Sequence, residues 1–187
     1  LMRQAQQLSI LSHQDPLTGL ANRRYLDEVL EIEWNRAMRH QTPITIMMVD
    51  IDCFKQYNDS LGHIQGDQCL KRIAILLSSL ASRSDDLAAR YGGEEFLLLF
   101  ALTNKEQALI QVQHLMELVR NIEITHPRSI VSKYVTVSVG VATTTPRLHD
   151  NLLAFIAQAD HALYIAKSNG RNQYHIAVSS DELALQS

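Results

Sequence analysis

Four acidic residues stand at two places where the sequence predicts that a strand meets a turn. Asp50 and Asp52 follow a run of apolar residues, and Glu94 and Glu95 follow a pair of glycines. Carboxylates held close together repel one another and burial raises that cost, whereas a divalent cation relieves both effects. Mg²⁺ takes one or two carboxylates together with phosphate oxygens. If the two strands are neighbours, the acids therefore predict a metal and phosphate site; otherwise each acid is a solvated turn residue.

The hydrophobic pattern predicts the elements that must position these acids. In order, they are a helix over 22–40, a strand over 44–49, a helix after 66, strands over 87–91 and 96–100, a helix opened by a capping box at 103–106, a strand over 135–141, a helix from 152 that stops at 170, and a weak strand over 174–178. Segment 44–49 is apolar throughout, which predicts burial on both faces. Segment 135–141 alternates, which predicts one buried face.

The order of these elements predicts an α+β fold. A glycine pair between two short strands indicates a tight hairpin, so the sheet is expected to be mixed or mainly antiparallel. We therefore expect a ferredoxin-like or palm-like βαββαβ core with flanking helices, which we place on one face of the sheet. Residues 1–14 predict a short helical linker, and the end of a coiled coil from an upstream domain is one interpretation of it. The domain itself is expected over 15–178 and a C-terminal tail over 179–187.

Composition excludes several classes of protein. The 187 residues carry 17 basic and 20 acidic side chains, a net charge of −3, which argues against a nucleic-acid partner bound by bulk charge. The longest apolar run, 96–102, is far shorter than a membrane span, so we expect no membrane contact by this domain. Two cysteines predict no disulfide framework. We expect a cytoplasmic domain, and tethering of that domain to a membrane sensor in a longer protein stays open.

Five segments in order resemble the motifs of the diguanylate cyclase family, whose signature is GGDEF or GGEEF. They are DPLTGLANRR at 15–24, DIDCFKQYND at 50–59, GHIQGD at 62–67, RYGGEEF at 90–96 and ADHALYIAKSNGRN at 159–172. The resemblance implies an enzyme that condenses two GTP into cyclic di-GMP and releases two pyrophosphates. It also implies Mg²⁺ or Mn²⁺ as cofactor and a homodimer of domains, regulated by an upstream sensory domain.

The resemblance implies roles for the acids of the first paragraph. Asp50 and Glu94 would bind metal with the backbone carbonyl of Ile51, and Glu95 would support a second metal or the nucleotide. Two cations would then act on phosphoryl transfer by neutralising phosphate charge and acidifying the attacking 3′-hydroxyl. Glu94 is also a candidate general base, and the sequence does not separate that role from metal binding.

The nucleotide contacts follow from the same resemblance. Asn58 and Asp67 would bind guanine, whose adjacent N–H donors suit a carboxylate; the alternative for Asp67 is an acid favoured by a helix N-terminus. The triphosphate is assigned to five residues, through backbone amides in the first three and side chains in the last two: Cys53, Phe54, Lys55, Lys167 and Arg171. The alternative for Lys167 is a basic residue favoured in a helix's last turn. His63 and Asp160 are expected to support or pack beneath the site.

Arg83-Ser84-Asp85-Asp86, five residues before the glycine pair, resembles the family's RxxD inhibitory site. Arg83 would contact guanine O6 and N7, and Asp86 would accept from its N–H groups, giving product feedback by cyclic di-GMP. The alternative is a solvated loop of mixed charge. His114 occupies a place where an arginine would add a second contact.

Two other functions remain open at this stage. A non-catalytic receptor of GTP or cyclic di-GMP would not need intact metal-binding acids, and here every acid that matches the family's motifs is present. A palm-type nucleotide cyclase that uses ATP would not need Asn58 and Asp67 in their guanine-binding places.

Overall fold

The computed structural model describes residues 13–178, so the predicted tail and nearly all of the predicted linker lie outside the described residues. Its helices are α1 (Arg23–His40), α2 (Phe54–Leu61), α3 (His63–Leu80), α4 (Lys105–Asn121) and α5 (Leu152–Ser168). Its strands are β1 (Ile44–Ile51), β2 (Leu87–Gly92), β3 (Glu95–Ala101), β4 (Val137–Thr144) and β5 (Tyr174–Ile176). None of these helices is both long and apolar enough to span a bilayer.

The five strands form one sheet in the order β2-β3-β1-β4-β5, which confirms the α+β prediction. Every neighbouring pair is antiparallel except β4 and β5, which run parallel. The central strand β1 is buried along its whole length, as its unbroken apolar sequence predicts. β1 and the hairpin strand β3 run in opposite directions, so the end of β1 lies beside the start of β3.

Helices cover both faces of the sheet, so the expectation of helices on one face only is wrong. One apolar layer joins the sheet to α2, α3 and α4, with Met47 and Val49 of β1 in it. A second layer on the opposite face joins the sheet to α1 and α5, with Ile46 and Met48 in it. Alternate residues of β1 thus enter opposite layers, because successive side chains of a strand point to opposite faces.

The helix boundaries differ from the prediction at two places. α2 was not predicted, and α3 begins at His63 rather than after Gly66. The capping box at the start of α4 lies one residue later than expected: Asn104 accepts from the amide of Gln107, whose side chain bonds back to Asn104. The expected cap, Thr103, is instead fully buried and donates its hydroxyl to a backbone carbonyl.

β4 is buried on both faces over 137–142, although its alternation predicts one buried face. The residues on its second face are small: Ser138, Gly140 and Ala142. A Cβ added at Gly140 would collide with the backbone of α5 at Ala159 and Leu163. These small residues therefore let α5 pack directly against the strand, and their face is a helix contact rather than a solvent face.

We expect Gly140→Ala to lower the free energy of unfolding by about 3 kcal/mol, because the added methyl group displaces the α5 backbone. Urea denaturation of the two proteins measures the difference. Gly92→Ala is the matched control, since a Cβ there meets nothing within 4 Å, and its effect should stay within about 0.5 kcal/mol. Equal stability of the Gly140→Ala and control variants would contradict the close contact.

Candidate functional site

The structure brings the acids of β1 and of the glycine turn to the same end of the sheet. Asp50 lies opposite Glu95 of β3 on one side and Ser138 of β4 on the other. The next amide, that of Ile51, donates to the carbonyl oxygen of Glu94 at 3.4 Å. The two predicted strand ends are therefore neighbours, which is the condition that the metal-site hypothesis requires.

Asp50 is a buried carboxylate in an environment of further acids. Asp50 is 7% exposed. Its Oδ2 lies 2.9 Å from the Nζ of Lys167, which belongs to the last turn of α5. Burial raises the pKa of Asp50 to about 6; Lys167 opposes that rise, and the charges of Glu94 and Glu95 add to it. The carboxylate therefore lies where additional positive charge is strongly favoured.

Asp52 has a different role from Asp50, although only one residue separates them. Its carboxylate accepts from the hydroxyls of Thr136 at 2.7 Å and Ser138 at 2.6 Å, and from the amide of Asn172 at 3.0 Å. Both of its oxygens thus bond to the protein, and the residue is only 2% exposed. Asp52 therefore joins β1 to β4 and to the loop after α5 rather than contributing a third carboxylate to the predicted metal site.

A tight turn connects β1 to α2 and supplies the predicted phosphate amides. Cys53 adopts a left-handed conformation, with φ of 56°, and α2 starts at Phe54. The first amides of a helix have no partner within the helix, and they favour anions. The Phe54 side chain is buried and that of Lys55 is exposed. Phe54 can therefore meet a phosphate only through its backbone.

The two basic residues predicted for the triphosphate lie on either side of the C-terminus of α5. Lys167 contacts Asp50, as described above, and the side chain of Lys167 is 32% exposed. Arg171 lies in the loop that follows, with φ of 65°, and its amide donates to the carbonyl of Ala166. Because Asp52 bonds to Asn172, this loop is fixed at the same end of the sheet as Asp50.

Asn58 carries a buried polar atom with no partner. In the part of the chain that the structure describes, its Oδ1 is shielded from solvent and accepts no hydrogen bond. A Cβ at Gly66 would collide with this oxygen. Asp67 follows on α3 and is exposed. Asp67 is the fifth residue of α3, beyond the first turn in which the helix dipole favours acids. The alternative explanation of Asp67 as an acid favoured by a helix N-terminus is therefore weakened.

Arg90 holds the glycine turn in place and was not among the predicted site residues. Its guanidinium donates twice to the carbonyl of Gly93, at 3.0 and 2.9 Å, and pairs with Asp15 at 3.3 Å. In this turn Gly93 has a positive φ, 54°, and Gly92 does not. The signal was present in the sequence, since Arg90 and Asp15 both belong to the matched motifs.

Arg83 and Asp86 meet at the far end of β2. The Nε of Arg83 lies 3.7 Å from Oδ2 of Asp86, whose side chain is only 3% exposed. Burial raises the pKa of Asp86. β2 extends from here to the glycine turn, so this pair lies roughly 20 Å from Glu94. The structure thus brings the predicted pair together, apart from the acids, and any ligand of Asp86 would have to reach a buried carboxylate.

Three further predicted positions are exposed. His63 and Asp160, expected to support or pack beneath the site, lie on the surfaces of α3 and α5, so a buried packing role is wrong for both. His114 is exposed on α4. No group of three or more His, Cys, Asp or Glu residues within 13–178 is arranged to hold a metal ion. Asp50, Glu94 and the Ile51 carbonyl still fit Mg²⁺, which needs only one or two carboxylates when waters and phosphate complete its shell.

The comparison with known proteins decides the family. A family model described as diguanylate cyclase, GGDEF domain, matches residues 12–173. The chain belongs to this family. Diguanylate cyclases are metal-dependent enzymes, and GGDEF domains bind GTP and cyclic di-GMP. The family predicted from the five motifs is therefore confirmed.

Individual relatives agree with this assignment. The chain is 38% identical to diguanylate cyclase DgcZ and 37% identical to probable diguanylate cyclase DgcT, both of Escherichia coli K12; the alignments cover 89% and 87% of this chain. They cover 54% and 35% of those relatives, so the chain spans about half or less of their length. A crystal structure of the coiled coil and GGDEF domain of DgcB from Caulobacter crescentus, in complex with c-di-GMP, superposes with a TM-score of 0.85 at 30% identity, covering 94% of this chain and 91% of that one.

The raised pKa of Asp50 predicts how stability depends on pH. Between pH 4 and 6 the folded protein holds this proton more tightly than the unfolded chain does, so the free energy of unfolding falls as pH rises through that window. Asp50→Asn removes this loss. We expect the free energy of unfolding of Asp50→Asn, relative to that of the parent, to rise by roughly 2 kcal/mol between pH 4 and pH 7.

Urea denaturation at each pH, with a chelator present, measures this gain. Asp160→Asn is the control, because it makes the same substitution at an exposed position on α5. A constant difference between Asp50→Asn and the parent across this range would show that the carboxylate is not destabilised by its surroundings.

Proposed function

We propose that this domain is an active diguanylate cyclase that joins two GTP molecules into cyclic di-GMP with release of two pyrophosphates. The observation that carries the proposal is the convergence of Asp50, Glu94 and Glu95 with Lys167 beside the N-terminus of α2. A nucleoside triphosphate suits this arrangement, because the acids can bind its metal ions and the lysine and the first amides of the helix can bind its phosphates. Family membership supports the same reaction.

The metal of this proposal is Mg²⁺ or Mn²⁺, held by Asp50, Glu94 and the carbonyl oxygen of Ile51. When bound, it supplies neutralisation of phosphate charge and acidification of the attacking 3′-hydroxyl. Glu95 lies opposite Asp50 in the sheet and would support a second metal ion or the nucleotide. Lys167 balances the charge of Asp50 and lies in reach of the phosphates that the amides of the 53–55 turn bind. Arg171 adds a second positively charged side chain for the same phosphates.

Selection of guanine rests on Asn58 and Asp67. The buried Oδ1 of Asn58 accepts no bond within the described residues, so a ligand N–H would satisfy it. The carboxylate of Asp67 accepts from the N1–H and N2–H₂ of guanine, and adenine lacks that pair of donors. Gly66 leaves room for Asn58, because any side chain there would occupy the same space.

The active species is a homodimer in which two such sites face each other. One domain binds one GTP, so the two phosphodiester bonds require two sites in contact. Residues 1–14, as a linker to an upstream sensory domain, would impose that pairing by raising the effective concentration and fixing orientation. Arg83 and Asp86 would bind the product and provide feedback inhibition.

The decisive experiment is incubation of the domain, fused to a dimerising coiled coil, with GTP and Mg²⁺, followed by chromatography of the products. We expect cyclic di-GMP from the parent. Glu94→Gln should lower the rate at least about 100-fold, because it removes a charge that binds metal at the reacting phosphate.

Glu117→Gln serves as the matched control, since it makes the same change on the exposed surface of α4. Thermal unfolding of each variant establishes that the fold is retained. Absence of both the linear dinucleotide and cyclic di-GMP from the parent would leave a non-catalytic receptor as the better description. Activity retained in Glu94→Gln would remove that residue from the metal site.

Product feedback has its own test. We expect Arg83→Ala to weaken inhibition by added cyclic di-GMP about tenfold, because it removes a bidentate contact to guanine worth 1–3 kcal/mol. The initial rate without product should stay unchanged, since the pair lies roughly 20 Å from the acids. Arg128→Ala, at an exposed position of the loop before β4, is the control. Identical inhibition curves for Arg83→Ala and the parent would show that Arg83 does not bind the product.

A further inference from the structure

His126 is a buried histidine that none of the predicted roles uses. It lies in the segment between α4 and β4 and is 2% exposed. Its ring meets Tyr57 of α2 edge to face, with centroids 5.2 Å apart. Its Nε2 lies 2.9 Å from the carbonyl oxygen of Cys53. The histidine thus reaches from a distant segment to the turn that supplies the phosphate amides.

The chemistry of this contact determines the ring's protonation at Nε2. A backbone carbonyl only accepts hydrogen bonds, so Nε2 must carry the hydrogen. The other ring nitrogen, Nδ1, is buried and has no partner among the residues that the structure describes. The ring therefore directs its only hydrogen bond at Cys53. A residue that merely filled this space would be better served by an apolar ring, which has no polar nitrogen left unsatisfied.

The Cys53 carbonyl is a point where the turn needs support. It also accepts the amide of Tyr57, so both of its lone pairs are used, one within α2 and one from His126. Cys53 has a φ of 56°, and a residue with a side chain keeps such a conformation only where its surroundings enforce it. On the other side of the turn, Asp52 is fixed by its bonds to Thr136, Ser138 and Asn172.

The segment that carries His126 is itself well ordered by local bonds. The amide of His126 donates to the carbonyl of Lys133, and Thr125 and Tyr134 form an antiparallel bridge. The hydroxyl of Ser129 accepts from the amide of Val131 at 3.1 Å. The imidazole is therefore presented from a closed loop with little freedom to move away from the turn.

We propose that His126 is a positioning residue for the triphosphate. Its Nε2–H holds the Cys53 carbonyl in the left-handed turn, and this hold aims the amides of the 53–55 turn at the phosphates. The inference rests on the proposed function, because it assigns those amides to GTP. It adds a residue outside every motif that matched the family, since 126 falls between the fourth and fifth segments.

Three substitutions separate the hydrogen bond from the shape of the ring. His126→Gln keeps an N–H donor at the reach of Nε2, His126→Asn carries the same amide on a shorter side chain, and His126→Phe keeps a ring without a donor. Binding of a GTP analogue with a methylene between its α- and β-phosphorus atoms, in Mg²⁺, is measured by calorimetry. Hydrogen exchange at the amides of 53–57 reports the turn directly and needs no nucleotide. His149→Phe, on an exposed loop, is the control.

We expect the Phe and Asn variants to bind the analogue about tenfold more weakly and to exchange faster at 53–57, since the Cys53 carbonyl loses its donor. The Gln variant should stay within about threefold of the parent. Parent-like binding by His126→Phe, or equal losses in the Gln and Asn variants, would overturn the proposal. Loss of folding in both the Phe and Asn variants would also overturn it, by assigning His126 to the stability of the whole domain. Failure of the parent to bind the analogue would instead count against the proposed function, and the exchange measurement would still decide whether His126 holds the turn.

Discussion

A buried carboxylate that needs a cation is the constraint on which this structure depends. Asp50 lies at the end of a strand covered on both faces, and burial together with Glu94 and Glu95 raises its pKa to about 6. Lys167 offsets that charge at 2.9 Å but remains partly exposed. The domain therefore keeps one carboxylate in an unfavourable state where a metal–nucleotide complex would relieve it, which is a common way for a binding site to lower its stability in exchange for function.

The surrounding architecture holds that carboxylate in place. Asp52 accepts from β4 and from the loop after α5, while Arg90 binds the carbonyl of Gly93 and ties the glycine turn to Asp15. The bonds of Asp52 and the Arg90–Asp15 pair join segments that are distant in sequence. The site is thus assembled from the ends of several elements rather than from one motif, and the rigid sheet sets the distances between its parts.

Much of the fold could be predicted because its strongest signals are local. The uninterrupted apolar run of β1 predicts a strand buried on both faces, and the glycine pair predicts the hairpin that brings Glu95 opposite Asp50. The placement of helices on one face was wrong because a hydrophobic stripe marks a helix's buried side without indicating which face of the sheet it covers. The polar and small residues Ser138 and Gly140 predicted a solvent face, yet small size serves equally well for close packing of α5.

The candidate site divides in the same way between local and long-range information. The acids, Lys167 and Arg171 could be predicted because their motifs keep fixed spacing, and family membership is confirmed over residues 12–173. His126 could not be found in this way, since it contacts Cys53 across 73 positions of the chain and carries no motif of its own. The left-handed residue at the start of α2 needs a hydrogen-bond donor that holds its carbonyl oxygen, but the sequence does not specify which segment supplies that donor. Residues that hold a binding turn from outside are visible only once the fold places them, and they extend the functional site beyond the groups that touch the ligand.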